Sequence, residues 1–541
     1  MPSWDDVQNA VSKFGLVNLR NDMNPASVSV NTLVQHVLRE LQSSTDKLKS
    51  WNCCCRAMNK FSSSYHSANR LEYRLLLAPA EALHGFACEM AKLGSNSPLL
   101  RLEPTCLGDM YANLELYESS KSTYAEYLTI QQAHCPSNHI EIGKLKGKLG
   151  IVYQNLGENE TAETLYKEAL IIQQTYCPSN RLDIGKTMKN LGGLYLTLGE
   201  YEAAKALNEE VLSIQSAHYP PTHVNIGVAK ENLANACADL GDYGTAKALY
   251  EETLMIEETN YPSNDISIGI TKENLGTVYQ NLGENETAKS LYEEALAIKQ
   301  ANFPLNHANV GITKETLAGV CQVLGDYDKA KSLYQEVLAI QQTHYPSNHP
   351  EIGTTKGNLG NVLADLGDYE TAKSLLEEAL VAEQFHYAPN HAKIGTTKEN
   401  LGIIYEKLDD AETARSLYEE ALAIKEIHYP PNHMKIGITK NNIGNLCRSL
   451  GEYETAKQYL EESLAIQQAH YPSNHVEIGK VKKNLAVVFY FIGEFEIAKS
   501  LLEETLAIYQ GNYCTNHPET EHVEHLLEVL LTVIEEECDR K

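Results

Sequence analysis

Histidine is the residue type whose spacing first suggests chemistry. Six segments read His-x-x-x-x-His: His134/His139, His218/His223, His344/His349, His386/His391, His428/His433 and His470/His475. Paired imidazoles could begin a zinc site, but tetrahedral zinc needs four ligands, normally with cysteine or carboxylate help. Most of these pairs enclose a proline, and Tyr176, Asn260 or Asn302 replaces one histidine in sister segments. They read as capping and packing groups. Cysteine is the next candidate. Cys237, Cys321 and Cys447 occupy a slot held elsewhere by Tyr153, Tyr195, Tyr279 and Tyr405, which makes them core fillers rather than nucleophiles. The run Cys53-Cys54-Cys55 cannot all chelate one metal, and reads as a helical segment with incidental thiols, reversible acylation or oxidation being the alternative. No Walker A loop, GxSxG, post-strand GxGxxG or HExxH is present, so no cofactor, no metal and no enzymatic activity are expected.

The elements that would position these residues are constrained by composition. The chain has 541 residues and a formal charge of −27, from 45 basic and 72 acidic side chains. Such a balance is repelled by phosphate backbones and anionic lipid, which argues against nucleic acid or a membrane surface as partner. With 43% hydrophobic residues there is ample material for a core. No apolar run reaches the roughly eighteen residues of a membrane span, and Met1 to Asp6 has no signal-peptide character. Twelve cysteines are too sparse for a disulfide framework. A cytoplasmic location is the expectation. Asn159 and Asn285 head Asn-x-Thr triplets that read as turn residues in that setting.

The dominant signal is self-similarity. A recurring leucine falls at Leu149, Leu191, Leu233, Leu275, Leu317, Leu359, Leu401, Ile443 and Leu485, always 42 residues apart. One step back, Leu107 and Tyr124 mark a degenerate copy, so ten repeats are expected over residues 100–519. Within each unit the apolar spacing is helical. Asn474 with Glu477, Asn348 with Glu351 and Asn138 with Glu141 suit an N-cap and capping box. Gly157, Gly199, Gly241, Gly283, Gly325, Gly367, Gly451 and Gly493 stand where a first helix should stop, with Asp409 breaking the series. A second helix then carries residues such as Ala162, Leu165, Tyr166 and Ala169. The chain reads as all-α, a string of helical hairpins.

The offsets Leu275-Gly276, Tyr279, Gly283, Ala288, Tyr292 and Ala295 resemble the tetratricopeptide repeat. The additional length, a longer second helix and a Tyr-Pro-Ser-Asn-His loop, is similar to the 42-residue form in kinesin light chains and nephrocystin-type proteins. Lysines (Lys230, Lys272, Lys314, Lys356, Lys398) stand where that pattern has an early tryptophan. The resemblance implies an α-α superhelical solenoid of about ten hairpins whose first helices line a concave groove.

On the first helix, Leu275, Gly276 and Tyr279 share the packed arc, and Lys272 lies on that side with its stem along the apolar layer and its ammonium in water. The opposite face repeats asparagine: Asn190, Asn232, Asn274, Asn358, Asn400, Asn442 and Asn484, interrupted by Thr316, with Asn235, Asn281, Asn361 and Asn445 beside them. The family likeness implies that such carboxamides hold the main chain of an extended peptide; a purely structural ladder is the alternative. Lys144, Lys148 and Lys186 make one end of this face basic, and Val487 and Phe491 make the other apolar. A ligand acidic at one end and apolar at the other would suit it. Second helices, as in Leu291-Tyr292-Glu293-Glu294, present a solvated acidic outer face.

Residues 1–99 read as a helical region, a degenerate repeat or a separate module, with amphipathic stretches at Val30 to Leu41 and Leu71 to Leu93. Residues 520–541 read as a capping helix with Leu526, Leu527, Leu530 and Leu531 on one side. The functional expectation is a non-enzymatic scaffold or adaptor that binds peptide segments of other proteins. The light-chain likeness implies kinesin heavy chain as a further partner, although no sustained heptads precede the repeats. The arm of a larger signalling ATPase is a third reading.

Overall fold

The computed structural model describes residues 105–134, 139–512 and 518–540. Expectations for residues 1–99, including Cys53-Cys55, lie outside the described residues. The chain divides into two compact units, Met1–Pro262 and Ser263–Lys541. In the first unit the helices are α1 Thr105–Asn113, α2 Tyr117–His134, α3 His139–Asn155, α4 Asn159–Tyr176, α5 Arg181–Leu198, α6 Tyr201–Ser216, α7 Val224–Asp239 and α8 Tyr243–Asn260. The second contains α9 Ile266–Asn281, α10 Asn285–Asn302, α11 Ala308–Val323, α12 Tyr327–His344, α13 Pro350–Asp365, α14 Tyr369–His386, α15 Ala392–Lys407, α16 Ala411–His428, α17 Met434–Ser449, α18 Tyr453–His470, α19 Val476–Ile492, α20 Phe495–Asn512 and α21 Pro518–Arg540. Within each unit the helices pack in consecutive pairs, each pair against the next, as an α-solenoid requires.

Each hairpin turns where the glycine permits it. All eight predicted glycines have positive φ, between +78° and +91°. At Gly283 the amide donates to the Gln280 carbonyl at 3.0 Å and the Glu284 amide to Tyr279 at 2.9 Å, which satisfies the last carbonyls of α9. Asp409 adopts the same conformation at φ +61°, and the turn survives without glycine.

The start of the first helix differs from expectation. The cap is the histidine, not the asparagine before it. His475 Nδ1 accepts from the Glu477 amide at 3.2 Å, and His223, His307, His349, His391 and His433 act alike. Asp265 fills this role ahead of α9. The ring is held by stacking on the aromatic residue four positions earlier, Tyr345 on His349 at 4.0 Å and Tyr471 on His475 at 3.9 Å. The other histidine ties the end of a hairpin to the loop that enters it: His344 Nε2 meets the Asn306 carbonyl at 2.7 Å, and His428 and His470 repeat the contact at Asn390 and Asn432. Asn302 and Asn512 make the same tie with an amide.

The Leu-Gly pair records close packing. A Cβ at Gly402 would lie 2.7 Å from the Tyr418 ring, and at Gly150 2.6 Å from Tyr166, so a large second-helix side chain sits on the first-helix backbone. Leu275, Leu359 and Leu401 are buried, as are Cys237, Cys321 and Cys447 in the tyrosine slot, their thiols pushed up by burial.

The core also contains a repeated polar site. Along the second helices of the second unit it is filled by Lys299, Gln341, Glu383, Lys425 and Gln467, all buried. Lys299 Nζ reaches Glu273 of its own hairpin at 2.5 Å and Thr313 of the next at 2.8 Å. Three hairpins on, Lys425 binds Glu399 at 2.5 Å and Thr439 at 2.9 Å. In the hairpin of Glu383, Gly357 stands at the position of Glu273 and Glu399, and Glu383 Oε2 has no hydrogen-bond partner. Burial raises its pKa, a hydrogen bond from Thr397 and the charge of Lys393 opposing the shift.

The terminal helix α21 covers the last hairpin with Val523, Leu526, Leu527, Leu530 and Ile534. Leu531, expected among them, is exposed. The packed stripe continues to Ile534 instead, one turn beyond Leu530.

Candidate peptide-binding face

The first helix of each hairpin is anchored before it can present anything. Lys146, Lys272, Lys356 and Lys440 place their ammoniums 2.5–2.6 Å from Glu168, Glu294, Glu378 and Glu462 on the second helix of the same hairpin. Lys230, Lys314, Lys398 and Lys482 pair with Glu252, Glu336, Glu420 and Glu504 in the same way. The lysine stem does run along the apolar layer, only 14% of the Lys272 side chain being exposed, but the ammonium meets a carboxylate instead of ending in water alone. Part of the acidic outer face is therefore neutralised from within. Because the glutamates are about half exposed, each pair contributes at most about 1 kcal/mol.

With that anchor set, the asparagine column is half-buried on the other side of the first helices. Its members are not equivalent. Asn232 Nδ2 donates to the Val228 carbonyl of its own helix at 2.9 Å. Asn442 leans on Glu399 at 3.4 Å and Asn484 on Asn441 at 3.1 Å. Asn190, Asn274, Asn358 and Asn400 form no side-chain hydrogen bond among the described residues, so each presents a free donor pair and acceptor. Beside the column, Asn235 accepts from Tyr250 and Asn281 donates to Thr277, while Asn361 is free and Asn445 Oδ1 is buried without a partner.

Lys144, Lys148 and Lys186 all sit on this face in the first unit, but carboxylates already answer them. Lys148 binds both oxygens of Asp109 at 2.7 and 2.8 Å, while Lys186 and Lys144 lie 3.2 and 3.7 Å from Asp183. In the second unit, Lys407 and Arg448 form no ion pair among the described residues, and Arg448 Nε is buried without a partner. Arg448 was not legible as a site residue, because Gln280, Gln322, Ala364 and Glu406 hold its position in sister helices.

At the far end of the second unit, the apolar face deepens into a cavity of about 160 Å³ between α19, α20 and α21. Val487, Tyr490 and Phe491 line one wall and Leu526, Val529 and Leu530 the other. Tyr453 stacks on Phe491 at 4.9 Å. Val487 and Phe491 were expected there; the α21 wall was not, since it depends on where the terminal helix docks. No group of three or more potential metal ligands occurs among the described residues, and none of their helices is long and apolar enough to cross a membrane.

Four stretches, residues 141–217, 267–343, 351–427 and 435–511, match a tetratricopeptide repeat family model, and residues 227–252 match a second of the same description. No curated protein matches the chain. Among solved structures, the apo quorum sensor NprR of B. thuringiensis is similar at 16% identity, over 68% of this chain and 99% of that one, with a TM-score of 0.54. BtubC (BKLC) of P. vanneervenii is 24% identical over 44% of this chain and 94% of its own, with a TM-score of 0.36. Nearly identical TPR-like repeats assigned to a kinesin light chain of Podosopora anserina are 24% identical over 38% and 97%, at 0.34.

Proposed function

Because the chain belongs to the tetratricopeptide repeat family, whose repeats serve as protein-interaction scaffolds rather than catalysts, we propose that it is a cytoplasmic adaptor holding an extended segment of a partner protein along the first helices of its second unit. The observation that carries this reading is the set of free carboxamides at Asn274, Asn358 and Asn400, in 42-residue register on a half-exposed face. A carboxamide can donate to a peptide carbonyl and accept from its amide at once, and so grips main chain without regard to side chain. Packed helices stand about 10 Å apart and an extended chain rises about 3.3 Å per residue, so each hairpin would hold roughly three residues. Lys407 and Arg448 would receive an acidic side chain, and the cavity beside Val487 an apolar one. The free cationic charge thus lies nearer the apolar end than Lys144, Lys148 and Lys186 suggest.

The test compares wild type with a combined Asn274→Ala, Asn358→Ala, Asn400→Ala variant of unchanged helical content, as baits in a cytoplasmic lysate. Loss of a defined set of proteins from the variant supports the reading. Recovery of the same set by both baits refutes it.

A further inference from the structure

The other side of the solenoid carries a second surface, independent of the asparagine face. In most second helices of the second unit, two solvent positions one turn apart are small: Ala297 and Ala301 on α10, Ala339 and Thr343 on α12, Ala465 and Ala469 on α18. On α14 the same positions are Val381 and Phe385, exposed by 66% and 71%, and on α16 the second is Ile427, exposed by 65%. Nothing in the packing of a hairpin asks for these side chains, since its sisters dispense with them. His428 at the end of α16 meets the Asn390 carbonyl in the loop that leaves α14, and Phe385 and Ile427 stand 42 residues apart at the same repeat position, so they fall in one column of one surface. A large ring and two branched chains left in water on successive second helices mark a contact surface rather than a folding requirement.

Charge says what kind of partner fits. Continuing the same stripes toward the helix starts gives Glu377 and Glu370 on α14 and Glu419 and Glu412 on α16, with Glu426 beside Ile427. The cations on these two helices are all engaged elsewhere: Lys373 over the Tyr405 ring at 4.6 Å, Arg415 on Glu452 at 2.8 Å and Lys425 on buried Glu399 at 2.5 Å. The patch is thus apolar at one end and acidic along its length. A second copy of this chain, with a formal charge of −27 and the same acidic rim, would meet it with like charge.

We propose that the outward stripes of α14 and α16 dock a cationic amphipathic helix of a partner protein. Its apolar side chains would cover Val381, Phe385 and Ile427, and its lysines or arginines would run along Glu377, Glu419 and Glu426.

The probe is a fluorescein-labelled helical peptide of lysine and leucine with leucines at i, i+4 spacing, read by anisotropy against the full chain. Its controls are a glutamate/leucine peptide of the same pattern and a Phe385→Thr, Ile427→Thr double variant. Threonine already occupies this position at Thr343, so the substitution is compatible with the fold. The expected result is binding of the lysine/leucine peptide that rising salt weakens, that the double variant weakens at least tenfold, and that the glutamate/leucine peptide does not show. Equal binding by the double variant would mean attraction to acidic surface in general and overturns the proposal, as does no binding to wild type. A wild-type dimer in sedimentation that the double variant abolishes would make a second copy the occupant, and also overturns it. The Asn274→Ala, Asn358→Ala, Asn400→Ala variant should bind the probe as wild type does; if it does not, the probe lies on the asparagine face and the proposal fails.

Discussion

Replacing Glu383 with glutamine should stabilise the second unit, and the gain should depend on pH. The carboxyl is 5% exposed, and its Oε2 has no partner. Sister hairpins place Gln341 and Gln467 at the same site, so Glu383→Gln keeps the shape and removes only the ionisable group. Burial raises the Glu383 pKa above that of the unfolded chain. Above about pH 4.3, where an unfolded glutamate ionises, the native state therefore holds the proton more tightly than the unfolded state does. Native protein binding more protons means that wild-type stability falls as pH rises through that window, and the glutamine variant escapes the loss. An incompletely satisfied buried polar group costs about 1–3 kcal/mol, and Thr397 recovers part of it, so the variant should gain about 1–2 kcal/mol at pH 7. Amide hydrogen exchange of α14 and α15 is the appropriate assay, because a repeat array opens locally. Protection there should rise roughly five- to thirtyfold at pH 7, and the difference should vanish below about pH 4. A pH-independent difference, or a loss of protection at pH 7, would show that the carboxylate is stabilised by groups other than Thr397 and Lys393.

Two further outcomes follow, one from the same core and one from a hairpin turn. Lys425→Gln should destabilise by about 3–5 kcal/mol because it strands Glu399, and the double variant Glu399→Gln, Lys425→Gln should recover most of that in urea unfolding; a double variant no better than the single one contradicts the pairing. Asp409→Gly should raise stability by about 1 kcal/mol, since Asp409 holds φ +61° at a cost glycine does not meet, and an unchanged or lowered unfolding midpoint would count against this.

How much of this could be read in advance varies from residue to residue. The 42-residue step and the glycine turns were legible because backbone geometry leaves few residue types at φ near +80°. Cys321 was legible because it alternates with Tyr279 and Tyr405 in a packed slot. The cap was misassigned because asparagine at Asn474 is the commoner helix starter, whereas the ring nitrogen of His475 needs its stacked Tyr471 to be in place. Lys272 was expected to end in water because its partner Glu294 lies on another helix. Glu383 and Lys425 were overlooked altogether, since a polar residue in a helix pattern looks solvated until the neighbouring hairpin is placed over it. On the candidate face, type and register were visible, but which asparagines are free was not. That division depends on the neighbours of each one, such as Glu399 beside Asn442 or the Val228 carbonyl under Asn232.

The polar site inside the core has a consequence for inheritance. Glu273 and Lys299, and again Glu399 and Lys425, belong to one hairpin each, and what they ask of the next is only a threonine, which Thr313, Thr355, Thr397 and Thr439 all supply. A charge and its counter-charge are therefore copied or lost together whenever a whole hairpin is gained or dropped. Unequal recombination with breakpoints in the loops between hairpins leaves no orphaned ion at the new junction. Copy number is then free to drift while every junction stays foldable, and selection can act on length separately from stability.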